Sequence, residues 1–317
     1  MALDTAPKLT RKKLVAWSLE TTTGTAITLD ATMATVPAFD PTFQEDFPII
    51  ERAPQGASIS PISQSALGAM SATCGFEIEM AGLGSGTPPL WFNLMEACGM
   101  LLTSSTLTPL SAAVNTVTVG YNNDGVARRI SGAMGNAVFT LTAGEKGRVK
   151  FDFHGKLEAP GDETLFAPTY NATIAPRCGT TTMTVGGTAY KIPSLTLDMG
   201  NQVVLRRDLS GVNAAGVYTG YRAAMIVARA VVVKVNPELI PLATKDWRAI
   251  YASRATAALS AVVGGTSNNV FTIAAPKLQL NTYPGMMDVD GLIHDDLSFL
   301  AIRNTDAGDD EWSLVAS

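Results

Sequence analysis

The sequence predicts a mainly β protein with short flanking helices, in which one structural unit occurs twice in tandem. In each copy, apolar and polar residues alternate along a segment (residues 72–80 and residues 224–235) with the two-residue period of a half-buried strand. A short helix that opens near Trp91 or Trp247 follows each segment, and further alternating strands follow each helix. Two copies of one unit with no catalytic motif between them indicate a structural building block rather than an enzyme.

Composition limits the size and the surroundings of this protein. A chain of 317 residues has room for about two domains. Charged residues make up 16% of the chain, against about 25% in typical soluble domains. A chain with so few charges has apolar surface that must be buried, and the large interfaces of an obligate assembly are the usual place for it. The formal net charge of −5 repels phosphate and excludes a nucleic-acid clamp.

Neither a membrane span nor a secretion signal is predicted. The most apolar strand is short and carries Arg229 and Lys234, whereas a span needs about 20 apolar residues. The basic N-terminus is followed only by residues 14–19 before Glu20 intervenes, which is too short for the apolar region of a signal peptide. The cysteines are few and odd in number, so we expect buried thiols in a reducing compartment.

Four segments are predicted along the chain. They are an N-terminal basic arm at residues 1–13, a first domain at 14–160, a linker at 161–180 and a second domain at 181–317. The linker is assigned because the polar stretch around it is rich in Pro and has no periodic pattern.

In the first domain, two pairs of turn residues locate the main elements. Pro88 and Pro89 pre-set the first turn of the helix that Gly99 ends, and the turn at Gly144–Gly147 joins the clearest hairpin. The predicted elements are an opening strand at 14–19, a long loop at 30–71 with a loose hairpin near 59–67, the strand at 72–80, the helix at 90–98 and the hairpin strands at 137–142 and 149–153.

In the second domain, Thr244 or Asp246 can cap a helix that continues to Val262 and ends at Gly264. The predicted strands are a small hairpin at 183–192, strands at 195–199 and 203–205 around the Gly200-Asn201 turn, the long strand at 224–235 and closing strands at 270–273, 277–283 and 292–302.

Several short motifs occur in a characteristic order over most of the chain. They are Glu20-Thr21 with Gly24-Thr25, Ala81-Gly82 before the Trp91 helix that ends Ala-Cys-Gly, the hairpin with Phe151 and Phe153, and Leu195-x-Leu197-x-x-Gly200-Asn201 followed by Arg206-Arg207. In this order they resemble the major tail tube proteins of long-tailed bacteriophages with non-contractile tails.

The resemblance implies two tandem tail-tube-like domains of β-sandwich or half-barrel form that assemble into a ring with a β-barrel lumen. Stacked rings form the conduit for DNA ejection, and DNA passes without specific binding. Length favours a homotrimeric ring of pseudo-sixfold symmetry, with a homohexamer as the alternative. The implied partners are further copies of the chain, the tape measure, the terminator and the distal tail protein. The protein is expected in the virion tail after synthesis in the host cytoplasm, without a cofactor.

Two charged clusters and one group of carboxylates are candidate functional residues. The N-terminal arm (Lys8, Leu9, Arg11, Lys12, Lys13 and Leu14) and the acidic tail (Asp306, Asp309, Asp310 and Glu311) are expected to make complementary contacts between stacked rings; solvated chain ends are the alternative. Strand carboxylates are expected to make the lumen net acidic, with Glu77, Glu79 and Asp198 as candidates.

No catalytic, cofactor-binding or metal-binding residue is predicted. His154 and His294 are the only histidines, and neither lies in a metal-binding spacing. His294 precedes two Asp residues but lacks the G-x-S-x-G elbow of a serine hydrolase. The alternatives to a tube subunit are a related ring component, such as a terminator or baseplate (distal tail) protein, a β-rich surface adhesin, and a hydrolase that uses His294.

Overall fold

A computed structural model describes residues 7–53, 55, 63–179 and 182–317. The fold is mainly β, which confirms the predicted class. Two short α-helices, α1 (Phe92–Ala97) and α2 (Trp247–Ser253), and one 3-10 helix (Ala31–Ala34) accompany the strands. All strand pairs in the described parts of the chain are antiparallel.

The strands before residue 180 are β1 (Lys13–Leu19), β2 (Phe39–Asp46), β3 (Ile49–Arg52), β4 (Ser63–Leu67), β5 (Ser71–Glu79), β6 (Met100–Thr103), β7 (Thr106–Pro109), β8 (Val117–Asn123), β9 (Val126–Thr142), β10 (Arg148–Leu157) and β11 (Gly161–Asp162). The later strands are β12 (Thr182–Val185), β13 (Thr188–Ala189), β14 (Ser194–Asp198), β15 (Gln202–Arg207), β16 (Tyr221–Ala228), β17 (Val232–Val235), β18 (Thr256–Val263), β19 (Phe271–Leu280), β20 (Gly285–Val289), β21 (Leu292–Ala301) and β22 (Ser313–Ala316).

A continuous antiparallel ribbon of eight strands runs through both halves of the chain. Its order is β2-β5-β10-β9-β14-β17-β21-β20. The junction between the halves is the pairing of β9 with β14, in which Thr142 lies opposite Ser194 and Val138 lies opposite Asp198. The two halves therefore contribute neighbouring strands to one sheet.

The pairing pattern of the first half recurs in the second. In the first half the neighbours are β1-β8-β9-β10-β5-β2. In the second half, β12 pairs with β18, β18 with β19, β19 and β20 with β21, β21 with β17, and β17 with β14. Residues 161–179 contain little besides β11. The division into two domains at a linker of 161–180 stays a prediction.

One face of the ribbon forms the core. A single row of side chains crosses six strands, and each is at most 1% exposed: Ile78, Val149, Phe139, Leu197, Val233 and Phe299. Each such burial stabilises the fold by about 1.5–3 kcal/mol. Trp91 and Trp247 pack on this core, with ring centroids 5.7 Å from Phe271 and 5.7 Å from Phe299 respectively.

The predicted long helix in the second half is wrong beyond Ser253. Helix α2 begins with Asp246 as its cap, and Arg254 ends it in the left-handed conformation with φ of 56°. Residues 256–263 then form strand β18, where Ala257, Leu259 and Ala261 alternate on the buried side. Pairing with β12 and β19 on its two edges favours the strand over the helix that the Ala-rich sequence suggested.

Three further elements differ from their predictions. The segment 224–235 is two strands, because β16 pairs with β15 whereas β17 pairs with β14 and β21. The expected loop at 30–71 contains β2, which pairs with β5, and the hairpin of β3 and β4; residues 59–62 of the predicted hairpin lie outside the described residues. The strands expected at 270–273 and 277–283 form the single strand β19.

Candidate functional site

The face of the ribbon opposite the core is polar. One row of directly paired residues on this face runs from Glu77 through Lys150 and Val138 to Asp198. The next row runs from Glu79 through Arg148, Thr140 and Thr196 to Lys234. Because directly paired residues of a sheet point to the same side, the three carboxylates predicted from the sequence lie on one face.

The carboxylates on this face have partners. Arg148 lies 3.3 Å from Glu77, and Lys146 lies 2.9 Å from Glu79. Asp198 accepts hydrogen bonds of 2.8 Å from the Asn136 side chain and 2.8 Å from the Gly200 backbone N–H. Exposed ion pairs of this kind contribute only about 0–1 kcal/mol each to stability. Their main effect is to hold both signs of charge close together across the face.

The N-terminal arm contacts the turn between β8 and β9. Asp124 accepts a 2.8 Å hydrogen bond from the Leu9 backbone N–H and lies 3.4 Å from the Lys12 ammonium, while Lys8 donates to the Asp124 carbonyl at 2.8 Å. The hydrogen bond from Leu9 and the charge of Lys12 hold the pKa of Asp124 below its usual value. Four cations placed ahead of any strand suggest an arm that little intrachain structure holds. These contacts show instead that the arm is docked on its own subunit.

The remaining residues of the arm divide into exposed and buried groups. Leu9 is 51% exposed and Leu14 is 8% exposed, and Leu14 packs with Ala16, Leu29 and Ala34. Arg11 and Lys13 are exposed. Leu14 is therefore part of the subunit core, whereas the side chain of Leu9 remains available to another molecule.

Arg229 binds the acidic tail. Its guanidinium lies 3.0 Å from Asp309 and 2.9 Å from Glu311, and it donates at 3.1 Å to the Gly99 carbonyl at the end of α1. Asp310 accepts hydrogen bonds from the backbone N–H groups of residues 304 and 305. The tail is thus folded onto its own subunit, and Asp306 is its exposed carboxylate. No ion pair joins the arm to the tail within the residues that the structure describes.

The Glu20 motif has a structural role. The Glu20 side chain is buried and accepts hydrogen bonds from the Thr116 and Thr118 hydroxyls and from the Gly24 and Gly132 backbone N–H groups. These bonds satisfy the carboxylate without a cation, and they fix the turn after β1 against β8 and β9. Burial of a charged group needs this degree of compensation.

His294 is buried and His154 is partly buried. His294 is 2% exposed, and its Nδ1 lies 2.9 Å from the Asn236 carbonyl. Burial lowers the pKa of His154, and the charge of Asp46 opposes that shift. Within the described ranges, no group of three or more His, Cys, Asp or Glu side chains could hold a metal ion, and no helix is long and apolar enough to cross a membrane.

Exposed apolar side chains near the two ends of the ribbon were not singled out from the sequence. Met286 and Met287 of β20 are 60% and 39% exposed, and Ile293 of β21 is 54% exposed. At the other end, Phe47 and Ile49 just after β2 are 43% and 68% exposed. The sequence does carry a signal for this exposure: apolar residues occur on both faces of residues 286–293. A strand with one solvated face would instead alternate apolar and polar residues.

Comparison with models of known protein families gives a match over most of the chain. The family model described as phage tail tube protein matches residues 10–301. No curated protein matches the chain.

Proposed function

The chain belongs to the phage tail tube protein family, and from this premise we propose that it assembles into closed rings that stack into the conduit for DNA ejection. As a member of this family it is a structural protein of the virion tail. The observation that carries the proposal is the eight-stranded ribbon, which has one face buried in the core and which carries charged and polar side chains on its other face from β5 to β17.

The polar face is the surface proposed to line the lumen. The opposite face is already covered by the core, so only the polar face can line a channel. Glu77, Glu79 and Asp198 add negative charge there, while Arg148 and Lys150 lie within the same rows. A cation that is paired with a carboxylate neutralises few DNA phosphates and therefore releases few counterions. The affinity of this face for the DNA backbone then stays low.

Stacking is assigned to the arm and the acidic tail. Several of their charges are engaged within the subunit, so the residues proposed to reach the neighbouring ring are Leu9, Arg11 and Lys13 on one side and Asp306 on the other. Opposite charges at such a contact would set the register of one ring on the next.

Two halves with the same pairing pattern support a homotrimeric ring of pseudo-sixfold symmetry, with a homohexamer as the alternative. Tape measure, terminator and distal tail proteins are the proposed neighbours along the tail.

Electron microscopy of the purified protein tests the proposal. Long hollow tubes are expected, closed single rings would favour a terminator or baseplate component, and a monomer at high concentration would contradict the proposal.

A further inference from the structure

We propose that the carboxyl group of Asp295 is a pH-sensitive element in the second half of the chain, and that its ionisation weakens the packing of α2 on β21. This inference concerns the folded subunit and is independent of the proposed ring assembly. Asp295 lies on β21 and is 3% exposed. A carboxylate so far from water needs hydrogen bonds or a close cation to offset the cost of burying its charge.

The position of Asp295 along β21 places its side chain on the core face of the ribbon. Leu297 and Phe299 alternate with it on the same side of the strand and are at most 1% exposed. Phe299 contacts Trp247, the first residue of α2, with a distance of 5.7 Å between ring centroids. Asp295 therefore continues the apolar face on which α2 packs, where a buried residue is usually apolar.

The buried Asp295 carboxyl group lacks the compensation that another buried carboxylate has. Its Oδ1 is buried and accepts no hydrogen bond from the part of the chain that the structure describes. Glu20, by contrast, is 8% exposed and accepts four hydrogen bonds. A buried polar group without a partner costs about 1–3 kcal/mol, and a charged one costs more. The charged form of Asp295 is thus poorly accommodated.

The side chains closest to this carboxyl group are largely neutral. Trp247 Nε1 and Tyr190 Oη are buried without a well-formed hydrogen bond among the described residues, and their rings lie 6.0 Å apart. Burial raises the pKa of Tyr190, and the charge of Asp295 adds to that rise. The Lys245 ammonium lies 5.2 Å from the Trp247 ring centroid and donates to a backbone carbonyl. A neutral carboxyl group, which can both donate and accept, fits these surroundings better than a carboxylate, which only accepts.

The other charged groups near Asp295 point away from it or into solvent. His294 and Asp296 are its neighbours on β21 and lie on the opposite face. Glu238 pairs directly with His294 and so shares that opposite face. On β20, Asp288 lies opposite residue 293, which puts it on the face of Asp295, but Asp288 is exposed to solvent. The cation that acts on Asp295 is therefore Arg248 of α2.

Ionisation of Asp295 opposes folding, and the pH dependence follows from this. Burial raises the pKa of Asp295 above its usual value, and the charge of Arg248 opposes that rise. The stabilising contribution of the neutral group is therefore fully present below the unfolded pKa, and it is lost as the pH rises through the folded pKa. A carboxylate at this position draws water or Arg248 toward it, and either movement disturbs the packing of α2.

Urea unfolding of full-length, unassembled subunits over a range of pH tests the proposal. Asp295→Asn keeps the shape of the side chain and removes the charge. At mildly alkaline pH this variant is expected to lower the equilibrium constant of unfolding by about tenfold for each pKa unit of the rise, and its advantage over the unmodified protein should shrink as the pH falls. The matched control is Asp296→Asn, which is exposed on the other face and should stay within about twofold at every pH. An advantage no larger than that of the control, or one that is the same at every pH, would overturn the proposal.

Amide hydrogen exchange provides a second measurement that does not depend on the folding of a variant. In the unmodified protein, the opening of residues 247–253, corrected for intrinsic exchange, should become several-fold more frequent as the pH rises, whereas residues 92–97 of α1 serve as the internal reference. Arg248→Gln should increase the opening of α2 when Asp295 is present and should have little effect together with Asp295→Asn. Opening of α2 that does not depend on pH, or that follows α1, would overturn the role of Asp295 and leave the proposed tube function untouched.

Discussion

Replacing Arg229 with Met is expected to lower the free energy of unfolding of the subunit by about 2–4 kcal/mol. The Arg229 side chain is 11% exposed and lies 2.9 Å from Glu311, which is 15% exposed. Removing one partner of a buried ion pair costs about 3–5 kcal/mol. The second partner, Asp309, is 35% exposed, so its share is only about 0–1 kcal/mol. Because the cluster is partly exposed, the expected loss in the free energy of unfolding is slightly smaller than that for a fully buried ion pair.

Urea unfolding of unassembled subunits measures this change, provided that the slope with denaturant stays the same. The control is Arg206→Met, because Arg206 is exposed on β15 and a substitution there is expected to change stability by less than about 0.5 kcal/mol. A cycle with Glu311→Gln separates the pair from general packing effects. A loss at Arg229 no larger than that of the control would refute the view that this side chain holds the acidic tail to α1.

Three further predictions concern the arm and the lumen. The pKa of Asp124 is depressed in the folded protein, so the contribution of Asp124 to arm docking is present above its unfolded pKa and is lost as the pH falls through its folded pKa. Proteolysis of the arm should therefore accelerate on acidification. The variant Asp124→Asn should show the same faster cleavage already at neutral pH. Deleting residues 2–13 should leave folded subunits or rings and abolish long tubes, and tubes of normal length and salt resistance would make the arm a passive end. Converting Glu77 and Asp198 to Lys should give tubes that retain DNA at low salt and release it at high salt. A second variant, Thr140→Lys with Thr196→Lys, tests whether added positive charge has that effect without the loss of a carboxylate. If neither variant retains DNA, this face is not the lumen.

The strands with strict alternation were predictable from the sequence, because one face of each is buried along its whole length. Residues 72–80, 137–142 and 149–153 are of this kind. Strand β2 was missed because its partner edge on β5 is distant in sequence and its own residues are only partly buried. The break between β16 and β17 was missed because it depends on pairing partners: β16 pairs with β15, whereas β17 pairs with β14 and β21.

The candidate charges were predictable as clusters but their partners were not. The sequence placed four cations in the arm, and only the fold brings Asp124 to meet two of them. Alternation alone does not show that Glu77, Glu79 and Asp198 share a face, and the strand register puts all three on the polar face. Alternation within one strand gives its two faces, whereas agreement between strands depends on pairing register, which short sequence patterns do not encode.

The measurement that tests the central claim most directly is a cryo-electron microscopy reconstruction of the assembled tube. The account predicts three chains in each ring and the row from Glu77 to Asp198 facing the lumen. Six chains in each ring would refute the trimer. A lumen lined by any other surface would contradict the claim that the polar face of the ribbon forms the channel.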